Sequence, residues 1–150
     1  MTNIERFDQL TGRIFAELFE AFPMTVDLIS EAFTDVIVVE PTETEQGIDQ
    51  MMTRDEFFSA TLLWLINSGY VSFYEDLSKK HNLFLGCTLT AKALEALKAT
   101  PSTLTGESIG ASLQAAAKGG MVDAIKSLTN DALSRGLALA SRAAIDLATT

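Results

Sequence analysis

The stretch that decides the fold runs from Asp55 to Leu97. It begins D-E-F-F-S-A-T-L-L-W-L-I-N-S-G-Y-V-S-F (55–73) and, after a polar gap, continues L-F-L-G-C-T-L-T-A-K-A-L-E-A-L (83–97). The first part predicts an apolar helix that ends at Asn67. Gly69 follows it, and glycine is the residue that most readily adopts the left-handed conformation after a helix. The rest of the stretch then changes from helical to extended periodicity.

Two short apolar segments follow this helix. Residues 70–74 and 83–89 are rich in aromatic and branched side chains, which favours strands, and the polar residues between them predict a hairpin tip. A further helix is expected from Ala91 to Ala99, after Thr90. The stretch therefore predicts a helix, a β-hairpin and a second helix.

Upstream, the first helix is predicted over Ile4 to Phe22, where apolar residues recur at steps of three and four. Thr2 or Asn3 is a suitable cap, and Pro23 marks the end because the residue before proline avoids the helical region. A second helix is expected from Val26 to Phe33, capped by Thr25.

The segment between this helix and the decisive stretch is acidic. Asp35 to Glu40 contains V-I-V-V, which predicts a short strand, and T-E-T-E-Q-G-I-D-Q (42–50) predicts a loop. T-R-D-E (53–56) resembles a capping box, so the third helix is expected to start at Thr53 and, being apolar on most sides, to be largely buried.

The C-terminal third is rich in alanine and predicts two helices separated by Gly119-Gly120. The second, Met121 to Leu147, would be about 40 Å long at about 1.5 Å per residue. It carries a ridge of small side chains that permits close helix packing, within the chain or between two copies. The residues of this possible oligomer seam are Leu128, Ala132, Gly136, Ala140 and Ala144. Chance in an alanine-rich helix and binding to a membrane surface are the alternatives.

The two quoted segments W-L-I-N-S-G-Y-V-S-F (64–73) and T-L-T-A-K-A-L-E-A-L (88–97) resemble the winged helix-turn-helix class. The resemblance covers roughly residues 4–99 and implies a mainly α fold with a small β-hairpin. We therefore expect a winged-helix-like domain over residues 1–100 and a C-terminal α-helical extension over 101–150. Such domains bind DNA in many proteins and other proteins in some, and helical tails after the wing commonly form dimers.

The charge distribution argues against a large DNA-binding face. The net charge is −9; residues 1–60 hold 13 acidic and 3 basic side chains, whereas residues 61–150 hold 7 acidic and 8 basic ones. A DNA-binding surface needs cations that displace counterions from the phosphates. DNA is therefore possible but disfavoured, and Asp55 and Glu56 lie at the end of the third helix that would approach it.

The composition limits the class of protein and the compartment in which it is expected. Apolar residues make up 47% of the chain and the mean hydropathy is +0.20, enough for a core. The lone Cys87 lies in an apolar strand and is expected to be a small buried hydrophobe in a reducing compartment. We expect a cytoplasmic protein, because the N-terminus lacks a signal-peptide pattern and no apolar run is long enough to span a membrane.

Few residues suggest catalysis. A single histidine excludes a multi-histidine metal site, and no phosphate-binding or dinucleotide-binding glycine motif occurs. Glu17 and Glu20 could bind a cation together with Glu43 and Glu45, although a solvated helix surface explains them better. No enzyme activity, cofactor or metal is expected.

Three functions remain, and one of them is the sensing of a ligand in an apolar pocket lined by phenylalanine and methionine side chains. The first is a protein-interaction module, homo-oligomeric, whose acidic face meets a basic partner. That face would comprise Glu40, Glu43, Glu45, Asp49, Asp55 and Glu56. The second is a dimeric transcriptional regulator that binds DNA through the wing. Its possible DNA contacts would be Arg54, Ser59, Asn67, Lys79, Lys80 and His81.

Overall fold

Helices form most of the protein, and a small antiparallel sheet lies among them. The computed structural model describes residues 2–37, 47–74, 82–99 and 107–149, with the backbone alone for 47–52 and 140–149. In chain order the elements are α1 (Asn3–Ala21), β1 (Val26–Ile29), a 3-10 helix (Ser30–Phe33), α2 (Thr34–Ile37), α3 (Gly47–Asn67), β2 (Val71–Ser72), β3 (Leu83–Leu89), α4 (Ala91–Lys98), α5 (Ile109–Lys118) and α6 (Val122–Thr149). The predicted fold class, mainly α with a small β-hairpin, is confirmed.

The sheet has the strand order β1-β3-β2. The predicted hairpin is present, since β2 pairs antiparallel with β3 through Val71 opposite Leu89. Strand β3 has the predicted bounds, whereas β2 is shorter than expected. The expected hairpin tip, residues 75–82, lies outside the described residues except for Asn82. A helical fold with a three-stranded sheet of this kind is compatible with a winged-helix-like shape.

The prediction of a helix from Val26 to Phe33 is wrong. Residues 26–29 form the third strand, with Leu28 opposite Phe84 in β3, and only Ser30–Phe33 is helical, as a single 3-10 segment. Thr25 therefore caps no helix. Val26, Ile29 and Phe33 fit a helical spacing, but short apolar runs do not separate helix from strand. Here β3 supplies backbone partners that a local pattern cannot reveal.

The prediction of a strand from Asp35 to Glu40 is also wrong for the residues that the structure describes. Residues 34–37 form the short helix α2, and residues 38–40 lie outside the described residues. Val36 and Ile37 are branched, yet both are buried in the core. Strand propensity is a weak preference that packing of this kind overrides.

Helix α3 begins earlier than expected. It starts at Gly47, so Thr53 lies inside the helix and residues 47–50 are not a loop. The capping-box pattern is short, and residues 47–52 contain no proline that would prevent an earlier start. The end is as predicted: α3 stops at Asn67, and Gly69 has a φ of 81°.

Helix α1 forms the centre of the core. Its start is fixed by a capping box in which the Glu5 amide donates to Thr2 Oγ1 at 3.2 Å and the Thr2 amide donates to Glu5 Oε2 at 2.8 Å. Its fully buried side chains include Leu10, Ile14 and Leu18. These residues share one side of the helix, as the apolar spacing predicts.

The C-terminal helices pack on the rest of the same chain. Both α5 and α6 contact α1, and α6 also contacts α4. The approach is close, because a Cβ at Gly12 would lie 2.6 Å from Ile125 of α6 and one at Gly110 would lie 2.7 Å from Phe19 of α1. Only glycine fits between these helices. The division into domains at residue 100 stays a prediction.

Among the described residues, no helix has the length and apolar character needed to cross a membrane.

Candidate docking surface on helix α3

Helix α3 has two apolar sides with different environments. Phe58, Leu62 and Leu65 point into the core and are fully buried. The opposite side faces solvent and repeats with the period of the helix. Its exposed residues are Thr53, Glu56, Ala60, Leu63, Trp64 and Asn67. The expectation that this helix is largely buried is therefore correct for one side only.

The exposed side of α3 carries large apolar groups. Leu63 is 43% exposed and Trp64 is 46% exposed. Ile4, near the start of α1, is 70% exposed. Singly exposed apolar side chains are common on protein surfaces, whereas several of them beside a hollow form a candidate binding surface.

A hollow of about 400 Å³ lies between the start of α1 and this side of α3. We call it the α1–α3 groove. Its apolar lining residues are Ile4, Phe7, Phe57, Ala60 and Trp64, and Asn3 and Thr61 add polar atoms. Phe57, Ala60 and Trp64 follow each other at helical steps, so the groove runs along about two turns of α3.

Trp64 has a fixed position in the groove wall. Phe7 meets its ring edge to face, with centroids 5.3 Å apart, and Tyr70 stacks on it at 6.1 Å with an angle of 13° between the planes. Lys92 Nζ lies 4.1 Å from the centre of the Tyr70 ring. Held between two aromatic rings, the indole loses little side-chain freedom when a ligand covers it.

Tyr70 links this surface to the C-terminal helix. Its hydroxyl donates to the backbone oxygen of Leu133 in α6 at 2.9 Å. A Cβ at Gly136 would lie 2.8 Å from the same hydroxyl oxygen. The residue is buried, and burial raises the pKa of its phenol. Tyr70 therefore contacts both Trp64 in the groove wall and helix α6.

Arg54, a possible DNA contact, is held inside the fold. Its side chain is 12% exposed; its Nε lies 3.2 Å from Asp55 Oδ1, and its Nη1 donates to Thr34 Oγ1 at 3.4 Å. The hydroxyl of the fully buried Ser30 donates to the same Asp55 oxygen. This network ties α3 to the segment after β1.

The other possible DNA contacts are scattered. Ser59 is buried at 5% exposure, and Asn67 is exposed at the end of α3. Lys79, Lys80 and His81 lie outside the described residues. The structure therefore brings no two of these six residues into contact within its described part.

The predicted acidic face is only partly described. Glu40, Glu43 and Glu45 lie outside the described residues, and Asp49 belongs to α3 with its backbone alone described. Asp55 is engaged with Arg54 and Ser30. Glu56 is exposed on the same side of α3 as Ala60, one helical turn away. Among the described residues of the predicted face, Glu56 is therefore the exposed one, and it lies one turn from Ala60 in the groove wall.

The possible oligomer seam has a partner inside the chain over its first half. Leu128 is partly buried, Ala132 is buried, and Gly136 lies against Tyr70. The side chains of Ala140 and Ala144 lie outside the described residues. Close packing at the small residues is thus used within one copy, and a seam between copies stays a prediction.

The lone cysteine and the acidic pair on α1 lie in the described part of the chain. Cys87 is fully buried, and burial, followed by the charge of Asp27, raises the pKa of its thiol to about 12. No group of histidine, cysteine, aspartate or glutamate suited to a metal ion occurs in the described part of the chain. Glu17 and Glu20 lie on α1, and the partial burial of its carboxyl group raises the pKa of Glu17.

Sequence reasoning missed the groove. Because the third helix is apolar on most sides, the sequence predicts that it is largely buried, including the stripe formed by Phe57, Ala60 and Trp64. The signal that could have identified them is the second stripe, Phe58, Leu62 and Ile66, which by itself supplies a core-facing side. A helix with two apolar sides exposes one of them to solvent unless neighbouring elements cover both.

Comparisons with protein-family models, with curated proteins and with solved structures each give no match to this chain.

Proposed function

We propose that this protein is a non-enzymatic interaction module with a winged-helix-like scaffold, which binds a partner protein at the α1–α3 groove. The observation that carries the proposal is the exposed side of α3. In a winged helix that reads DNA, the helix before the hairpin presents cationic and polar groups to the bases and phosphates. Here the corresponding side presents Ala60, Leu63 and Trp64.

Charge supports the same proposal. Arg54 is the single Lys or Arg between residues 14 and 78, and its guanidinium already pairs with Asp55. Phosphate binding by α3 would require breaking that pair, which would leave the Asp55 charge partly buried without its cation. Exposed aromatic and aliphatic groups beside a hollow are instead typical of protein-binding sites.

A photo-crosslinking amino acid at position 63 tests the proposal in the native cells. We expect covalent adducts with a defined protein, lost when Ala60→Gln fills the groove, and no adduct from the control position Ala115, which is exposed on α5. A parallel titration measures duplex DNA binding at physiological salt. Tight duplex binding that Lys79→Glu/Lys80→Glu removes, together with no Leu63 adduct, would overturn the proposal in favour of the regulator.

A further inference from the structure

We infer that the occupant of the α1–α3 groove is a basic amphipathic helix of a partner protein. The inference rests on the proposed function and specifies the partner's chemistry. Three features lead to it: the shape of the groove, the position of its apolar and acidic groups, and the charge of the surrounding chain.

The shape favours a helix over an extended strand. The groove is formed by two helices, and its α3 wall consists of Phe57, Ala60 and Trp64, a ridge with helical spacing. A helix laid between them can place residues at steps of three and four against this ridge. The backbone of α3 is engaged in its own hydrogen bonds, so the wall offers no ladder to a strand.

The groove is long enough for a short helix. From Phe57 to Trp64 the α3 wall covers seven residues, which is roughly 10 Å at about 1.5 Å per residue. A partner helix of two to three turns would therefore place two or three apolar side chains in it. Ala60 has the smallest side chain of the three wall residues and lies between the two aromatic ones.

The polar end of the surface selects the partner's charge. Glu56 is exposed one turn before Ala60 on the same side of α3. Asp49 and the acidic residues of 40–45 precede it in the chain, and residues 1–60 carry a net charge of −10. Of the three cations in that region, Arg13 pairs with Asp35 and Arg54 with Asp55. Arg6 is partly buried and does not line the groove, and Lys92, which lies over the Tyr70 ring behind the groove wall, donates to the backbone oxygen of Ser68.

An amphipathic helix with lysine or arginine on its polar side satisfies both features. Its apolar side would cover Trp64, Leu63 and Ile4, and its cations would lie opposite Glu56. An acidic helix of the same apolar pattern would meet like charge, which is unfavourable at short range.

Trp64 makes the test direct, because it is the single tryptophan of the chain and lines the groove. The full-length protein is titrated with two synthetic amphipathic peptides that share one leucine side and carry either lysine or glutamate on the other. Tryptophan emission reports occupancy. We expect a saturable blue shift with the lysine peptide and binding at least tenfold weaker with the glutamate peptide.

Three variants separate the contributions. Glu56→Lys should weaken the lysine peptide about three- to tenfold, the range for losing a surface ion pair and gaining a repulsion. Glu95→Lys, an equal charge change at an exposed position of α4, should leave the affinity within twofold. Ala60→Gln should abolish binding of both peptides without adding charge. Circular dichroism confirms that each variant is folded.

The inferred basic character of the partner would be wrong if both peptides bound with equal affinity. It would also be wrong if Glu56→Lys left the affinity for the lysine peptide unchanged. Either result would leave the proposed function standing. No emission change with either peptide overturns the inference. The proposed function then depends on the Leu63 adducts alone, so the two failures are distinguishable.

Discussion

The hydroxyl of Tyr70 donates a 2.9 Å hydrogen bond to the backbone oxygen of Leu133, which joins the start of the hairpin to the middle of α6. The same ring stacks on Trp64 in the groove wall and lies against Gly136. One side chain therefore connects the candidate docking surface with the C-terminal helix.

Gly136→Ala should destabilise the protein, because the new Cβ would lie 2.8 Å from the Tyr70 hydroxyl oxygen and closer to the ring edge. Overpacking of this kind costs about 1–3 kcal/mol of the free energy of unfolding. Urea denaturation measures it. Gly119→Ala is the matched control, since its φ is −86° and the nearest atom to its Cβ is at 3.4 Å. Equal effects of the two substitutions would contradict close packing of α6 on Tyr70.

Tyr70→Phe keeps the ring and removes the hydroxyl. We expect a loss of about 0.5–1.5 kcal/mol in unfolding free energy, the usual net value of one hydrogen bond. Trp64 emission should change little, because the stacked ring remains. A double-mutant cycle with Gly136→Ala should show that the two effects are coupled, since both act on the same contact. Strict additivity would argue against a shared contact.

Arg54→Met should reduce stability rather than any nucleic-acid affinity. The substitution leaves Asp55, whose side chain is 23% exposed, without its guanidinium partner. Breaking a partly buried pair on one side costs more than losing an exposed one, so we expect a loss of about 1–3 kcal/mol. Thermal unfolding of Arg54→Met and of the exposed control Lys98→Met measures the difference. Weaker DNA binding at unchanged stability would instead assign Arg54 to a DNA interface.

Asp8 gives a pH-dependent prediction. Burial raises the pKa of its carboxyl, although Asn130 Nδ2 donates to Oδ2 at 3.4 Å and opposes the shift. The pKa of Asp8 in the folded protein exceeds the ordinary value of an aspartate. The free energy of unfolding therefore falls as the pH rises from the ordinary pKa to the raised one. Asp8→Asn should therefore raise the melting temperature at pH 7, and the gain should vanish below the ordinary pKa of 3.8. Glu95→Gln, at an exposed position of α4, is the control. A constant gain at all pH values would contradict this cause.

The sequence predicts correctly those helices that begin at a capping residue or end before a glycine. Thr2 begins α1, Gly69 follows α3, and Thr90 accepts from the Ala93 amide at the start of α4. Strand β3 has the predicted bounds. In each case the residue that ends or starts the element acts on its own neighbours, so sequence alone suffices.

The errors lie where distant partners decide the structure. Val26–Ile29 is a strand because β3 pairs with it, and Asp27 Oδ1 accepts from the Gly86 amide at 2.9 Å across this pair. Whether Trp64 is buried depends on which helices pack on α3. Spacing identified the apolar side of the helix but not its neighbours, and so the groove could not be predicted.

The most direct test of the account is the response of Trp64 emission to two kinds of ligand at physiological salt. The account predicts that a helical amphipathic peptide of suitable charge shifts and shields the indole, whereas a duplex of mixed sequence leaves it unchanged. Shielding of Trp64 by the duplex, with no response to any amphipathic helix, would contradict the claim that α3 presents a protein-docking surface.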